Sequence, residues 1–349
     1  MTRARDLSND EANNGGATPP FVAGKNKIIN GDFAIWQRGT TFNSVGDNLY
    51  TADRFRQNGN GSGVTKNVSR QTFTPGTAPV AGYEGTYFYR FNQSVAGSGT
   101  SYQNMLIQCI EDVRSFSGQT VTVSFWAKAD TTRTITVVYG QEFGNSGVGD
   151  QYPTLGTAAV TTNWARYSVT GTIASVSGKT IGANTNNFQV ILSSPFNVVQ
   201  TIDIWGLQIE AGSVASPFTP AGGGFPGAEL TLCQRYYTTS IPTGFTITDF
   251  SGMNPGSSSA IGWCSPGSTN DIFTTIQYPV PMRAAPTFVI YSAGNRTAGS
   301  VRDAVNGSDL AVSNYSVQAG NNKGFNYMAG FTATAGRPYS FQWTASAEL

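Results

Sequence analysis

From residue 120 to 128 the chain reads Thr-Val-Thr-Val-Ser-Phe-Trp-Ala-Lys, and this alternation constrains the fold more than any other feature. Val121, Val123, Phe125 and Ala127 fall on one face of an extended strand. Thr122, Ser124, Trp126 and Lys128 fall on the other. A period of two marks a strand with one face in a core. Similar runs recur at residues 133–139, 164–170, 188–193 and 201–209, each bounded by turn residues. With 41 glycines and many Ser, Thr and Asn between the apolar runs, short strands and tight turns are favoured over helices. The expected class is all-β, built as sandwiches. Residues 133–139 are the expected antiparallel neighbour of 120–128.

A break follows Phe218: Thr219-Pro220-Ala221-Gly222-Gly223-Gly224-Phe225-Pro226-Gly227 is the strongest linker signal in the chain. Residues 228–237 form the best helix candidate, one or two turns running into a strand at Tyr236-Tyr237. Beyond it, strands are expected at 273–280, 287–292 and 339–343. Pro279, Pro281 and Pro286 forbid a continuous central strand between the first two and imply an edge or crossover. The expected organisation is a short extended N-terminal arm over 1–26 and a jelly-roll-like sandwich over 27–219. A Gly/Pro linker with a short helix follows over 220–237, then a second sandwich over 238–349. The arm, which contains Asn13-Asn14-Gly15-Gly16, is either a polar tail or a segment that orders against a partner.

The chain has no histidine, which removes Ser-His-Asp and Cys-His catalysis and His-ligated zinc or iron. Paired carboxylates remain the main enzymatic route. Glu111 and Asp112 are adjacent, but neighbours on a strand point apart. They read as a solvated turn with an Asp112–Arg114 contact. Gly59-Asn60-Gly61-Ser62-Gly63 and Gly222-Gly223-Gly224 lack phosphate-loop context and read as flexible loops. A net charge of +1 with 12% charged residues leaves no basic surplus for nucleic acid. No run of 18 apolar residues suggests membrane insertion, and residues 1–20 have no apolar core of a signal peptide. Cys109, Cys233 and Cys264 form no close pair and read as buried free thiols of a protein assembled in a reducing cytoplasm. No cofactor is expected. Asp32, Asp53 and Asp203 invite a calcium reading, but Asp32 suits a turn cap and Asp53 an ion pair with Arg38 or Arg54, so no metal is assigned.

Several stretches taken in order resemble phage and prophage tail-fibre-like proteins. They are Asn30-Gly31-Asp32-Phe33-Ala34-Ile35-Trp36-Gln37-Arg38-Gly39, then Tyr50-Thr51-Ala52-Asp53-Arg54-Phe55, then Ile204-Trp205-Gly206-Leu207-Gln208-Ile209-Glu210-Ala211-Gly212. Leu232-Cys233-Gln234-Arg235-Tyr236-Tyr237, Pro281-Met282-Arg283-Ala284-Ala285-Pro286 and Trp343-Thr344-Ala345-Ser346-Ala347 resemble the C-terminal half of the same proteins. The first half also resembles jelly-roll carbohydrate-binding modules with an N-G-D-F start. The likeness covers roughly 27–349; Phe55 stands where Trp is commoner. It implies a virion surface protein, usually homotrimeric, that touches host surface polysaccharide without catalysis. The arm at 1–26 would join it to other tail or baseplate proteins. A capsid head-fibre or decoration protein and a tailspike-type depolymerase with a carboxylate pair are the alternatives.

Trp36, Phe55, Trp164 and Trp205 are expected in the core. Trp126 lies on the polar side of its strand beside Lys128. It is either covered by a second layer or subunit, or exposed as a platform for a sugar ring, with Tyr139 joining from the neighbouring strand. Tyr83, Tyr87 and Tyr89 form a second strip, either a seam or a binding surface. The expected carbohydrate-binding residues are Trp126, Tyr139, Lys128, Tyr83 and Tyr87.

Overall fold

The structure, a computed structural model, describes residues 25–59, 63–80, 83–98, 103–183, 185–247, 259–267, 271–312, 316–318, 321–329 and 333–349. The arm expected over 1–26 lies outside the described residues except for Lys25 and Asn26. Asn60, Gly61 and Ser62 of the first glycine-rich run lie outside them too.

Twelve strands build the first unit: β1 (Thr41–Phe42), β2 (Leu49–Tyr50), β3 (Phe55–Gly59), β4 (Thr65–Thr72), β5 (Tyr87–Val95), β6 (Gln103–Ile110), β7 (Thr120–Ala129), β8 (Arg133–Glu142), β9 (Thr154–Val160), β10 (Ala165–Thr172), β11 (Asn187–Pro195) and β12 (Gln200–Ala211). They form two six-stranded antiparallel sheets, ordered β1-β4-β5-β12-β7-β10 and β2-β3-β6-β11-β8-β9. The chain switches sheet repeatedly, as in a jelly roll. Val121, Val123, Phe125 and Ala127 point inward from β7. They share one core with Ile135, Val137 and Tyr139 of β8 and Phe188, Val190 and Leu192 of β11.

One expectation fails here. β8 is not the neighbour of β7, which pairs with β10 and β12. β8 pairs with β11 and β9 in the facing sheet. Residues 130–132 carry the chain across the sandwich instead of reversing it within a sheet. Alternation cannot separate the two routes, because either one turns the same residues inward.

The second unit holds α1 (Pro226–Gln234), β13 (Tyr237–Thr239), β14 (Ala260–Cys264), β15 (Asp271–Gln277), β16 (Thr287–Ser292), β17 (Ser300–Asp303), β18 (Asp309–Ala311), β19 (Ser316–Gln318), β20 (Gly324–Ala329) and β21 (Pro338–Ser346). Among the described residues its nine strands are hydrogen-bonded around β21, which pairs with β13, β14, β16 and β17. In bonding order, β20 is four strands from β16. Yet Phe288 of β16 meets Phe325 of β20 at 4.5 Å between ring centroids. The sheet therefore curls until its ends face each other across a core of Ile272, Ile290, Met328 and Phe341. Residues 278–286 carry no strand, as the prolines require.

The 220–237 segment is docked and is not a free linker. Pro226 opens α1, and Glu229 in its first turn is buried. Its carboxylate accepts the backbone N–H of Asn30 and, at 2.6 Å, that of Gly222. The second glycine-rich run thus serves as a cradle. Burial dominates these two donors and pushes the Glu229 carboxyl up to about 7 from an ordinary 4.5. Between those values the folded protein holds more protons than the unfolded chain, so stability falls as pH rises through that window. The expected loss is up to about 3 kcal/mol between pH 4.5 and 7. Asp53, raised by burial from 3.8 to about 6, adds in the same direction. Thermal unfolding across this range checks the slope. Glu229→Gln should flatten it, and an unchanged slope in that variant would assign the effect elsewhere.

Three stretches far apart in sequence meet where the units join. Arg38, Asp53, Arg54 and Glu348 form one buried network. Tyr236 stacks on the Arg54 guanidinium at 3.4 Å and Tyr237 on that of Arg38 at 3.6 Å. Glu111 reaches Arg235 at 3.0 Å, also across the units. Its neighbour Asp112 pairs with Arg114 at 2.8 Å in a solvated turn, as expected.

Candidate functional site

The five residues expected to bind sugar do not form one surface. Trp126 is only 8% exposed. Residues 73–80, Tyr83 and residues 212–218 fold over the outer face of β7, and Phe73, Phe88, Trp205 and Phe218 enclose the indole in a second small core. Arg166 covers it further, 4.6 Å from the ring. Gly206 sits at a bulge of β12 with φ 64°, and a Cβ there would lie 2.8 Å from the indole. Tyr139 points the other way, into the main core, stacked on Phe188 at 6.0 Å. It sits on the facing sheet because β8 does. Lys128 pairs with Asp203 at 3.6 Å and lies 5.5 Å from the Trp164 ring. Tyr83 donates its hydroxyl to Asp32 at 3.1 Å, and Tyr87 lies under the Arg70 guanidinium at 4.1 Å. Tyr89 is fully buried in the main core, so the three tyrosines do not share a strip. Asp53 pairs with Arg38 at 3.8 Å, and Asp203 accepts two 2.7 Å hydrogen bonds from Arg90.

The other sheet presents a different outer face. Its register aligns residues of five strands in rows. Arg56, Ile107, Ile191, Val138 and Thr154 stand side by side across β3, β6, β11, β8 and β9. Asn58, Met105, Ser193 and Thr136 form the row beside it, and Cys109, Gln189 and Gly140 begin a third. Neighbouring strands lie about 4.8 Å apart, so the row from β3 to β9 spans roughly 19 Å. Ten of these side chains, with Asn48, Glu142 and Tyr152, line a groove of about 500 Å³.

The groove has an apolar floor and polar flanks. Half-buried Val138 and Met105 give the open floor above the buried Ile107 and Ile191, against which Leu349 also packs; Arg56, Asn58, Gln189, Thr136 and Ser193 surround it. Tyr152 stands on the rim, 51% exposed. Gly140 leaves room for its ring: a Cβ there would come within 3.1 Å of it. The Tyr152 hydroxyl donates to Glu142 at 2.7 Å, and Asn187 donates to the other carboxylate oxygen at 2.7 Å. Desolvation and the bond to Glu142 raise the phenol above its ordinary range, so it stays a donor. Gln189 Nε2 and Arg56 Nε have no hydrogen-bond partner among the described residues. A buried donor without a partner costs free energy that a ligand can recover. Arg56 and Glu142 balance in charge, so the lining suits a neutral ligand rich in hydroxyls, with apolar C–H faces for the floor.

Neither a family model nor a curated protein matches the chain. Some solved structures are similar at low identity. The enzymatically active domain of tailspike protein 4 from bacteriophage CBA120 is 14% identical over 54% of this chain, with a TM-score of 0.33. The chain spans 22% of that domain. The carbohydrate-binding module TmCBM61, solved with β-1,4-galactotriose, is 14% identical over 54% of this chain and 99% of its own, with a TM-score of 0.29. A family 11 module from Clostridium thermocellum, solved with a mixed-linked β-1,3-1,4 tetrasaccharide, is 12% identical over 51% and 99%, with a TM-score of 0.32.

Sequence reasoning missed the groove residues. A signal was present in β6 and β11. Met105 and Ile107 alternate with Leu106, and Ile191 alternates with Val190 and Leu192. A strand apolar on both faces has more than one surface to cover.

Proposed function

We propose that this chain is a non-catalytic phage virion protein, a tail-fibre subunit that holds a neutral host polysaccharide in the groove across β3, β6, β11, β8 and β9. The observation that carries the reading is the aligned row Arg56–Ile107–Ile191–Val138–Thr154 with the unpartnered amide of Gln189 beside it. A sugar chain laid across the strands meets aliphatic floor under its C–H faces and amide, guanidinium and hydroxyl groups at its edges. The ordered resemblance from Asn30 to Ala347 supports the virion assignment. Support for the absence of catalysis comes from the lining. Glycosidases need two carboxylates about 5–10 Å apart. Among the described residues lining the groove Glu142 is the one carboxylate, and it is held by Tyr152 and Asn187. Weak single sites become useful when a trimer presents three of them to a repeating polymer.

Tyr152→Ala is expected to weaken binding of a neutral oligosaccharide roughly fivefold, about 1 kcal/mol, with little change in melting temperature. Calorimetric titration measures the first and a thermal scan the second. Undiminished affinity in Tyr152→Ala and in Arg56→Ala together would sink the groove assignment. Sustained release of reducing sugar from the bound polysaccharide would sink the non-catalytic one.

A further inference from the structure

The groove does not end at β3. Asn48, on its rim, also lines a second cleft of about 360 Å³ where the two units meet. That cleft differs in character. The groove's aromatic lining is Tyr152 alone among the described residues, whereas the cleft is lined by Tyr50, Tyr237, Phe245 and Tyr291. Leu49 and Phe245 leave 44% and 40% of their surface open there. Large flat rings offer apolar area and, in tyrosine, a polar edge, the combination a sugar ring needs. Arg38 lies over the rings of Tyr50 and Tyr237, and its Nη1 has no hydrogen-bond partner among the described residues. Asp53 and Glu348 neutralise its charge at 3.8 and 3.0 Å. It therefore offers N–H donors without a field that would demand an anion.

We propose that this cleft is a second subsite for the same neutral polysaccharide, so that one chain runs from the groove past Asn48 and between the two units. The proposal rests on the groove reading. It adds that the ligand is a long chain and not a short terminal sugar. Two subsites on one ligand convert the second contact into an intramolecular one, so affinity rises with chain length until both are filled.

The test uses the full chain and β-linked glucan oligosaccharides of two lengths, a trisaccharide and an octasaccharide, by calorimetric titration. The octasaccharide should bind at least about tenfold more tightly. Tyr291→Ala should bring the octasaccharide down to the trisaccharide level and leave the trisaccharide unchanged. Phe245→Ala, at an exposed position outside any strand, should do the same and serves if Tyr291→Ala fails to fold. Tyr152→Ala should weaken both lengths. Equal affinity for the two lengths, or an octasaccharide affinity untouched by the cleft variants, overturns the second subsite and leaves the groove standing. Binding of neither length overturns the groove reading and the subsite with it.

Discussion

Glu348→Ala should cost about 3–5 kcal/mol of stability, one of the two largest effects expected here. Glu348 accepts hydrogen bonds from both Arg38 and Arg54, and the Arg54 side chain is 1% exposed. Removing the carboxylate leaves Arg38 with Asp53 alone and Arg54 with no acid in reach. A buried, uncompensated charge is the expensive case, far more so than a lost pair. Arg54 keeps the Cys109 carbonyl at 2.6 Å and the Tyr236 ring, neither of which carries a full negative charge. The double variant Arg54→Met/Glu348→Leu should recover most of the loss. It removes one charge of each sign and leaves Arg38 with Asp53. Denaturant titration of both variants decides the matter. A single-variant cost below about 1 kcal/mol would show that the network is solvated and does not clamp the units.

Trp126→Ala should lower stability by a similar amount, about 3–5 kcal/mol, without altering sugar affinity. The indole lies 5.4 Å from the Trp205 ring and 6.3 Å from Phe218, and the backbone at Gly206 is shaped around it. Deleting it opens a cavity that those rigid neighbours cannot fill, and it uncovers the Arg166 guanidinium. The groove is on the opposite sheet, so its side chains should not move. Paired melting and titration experiments separate the roles. A fall in affinity with stability intact would restore Trp126 as a binding platform.

Much of the fold was legible because it depends on local rules. The two-residue period of β7, the prolines at 279, 281 and 286, and the Pro-Gly break before α1 each act within a few residues. The residues Asn30–Arg38, Tyr50–Phe55 and Arg235–Tyr237 were also visible as distinctive sequence. Their reason was not, since it lies in a shared network closed by Glu348 from the far end of the chain. Two of the expected binding residues, Trp126 and Tyr139, are buried for a topological cause. Alternation says that Trp126 leaves the main core, but not what folds over it; the covering segments lie about 50 and 90 residues away in sequence. The groove depends on the register of five strands, which no single strand records. Gln189 looks like any polar strand residue until Ile107 and Val138 are placed beside its neighbours.

Methyl-labelled NMR during titration with a neutral oligosaccharide tests the central claim most directly. The account predicts progressive shifts at Ile107, Val138, Ile191 and Met105, which line the groove. Shifts confined to Val80, which packs in the cluster around Trp126, with the groove methyls silent, would contradict it.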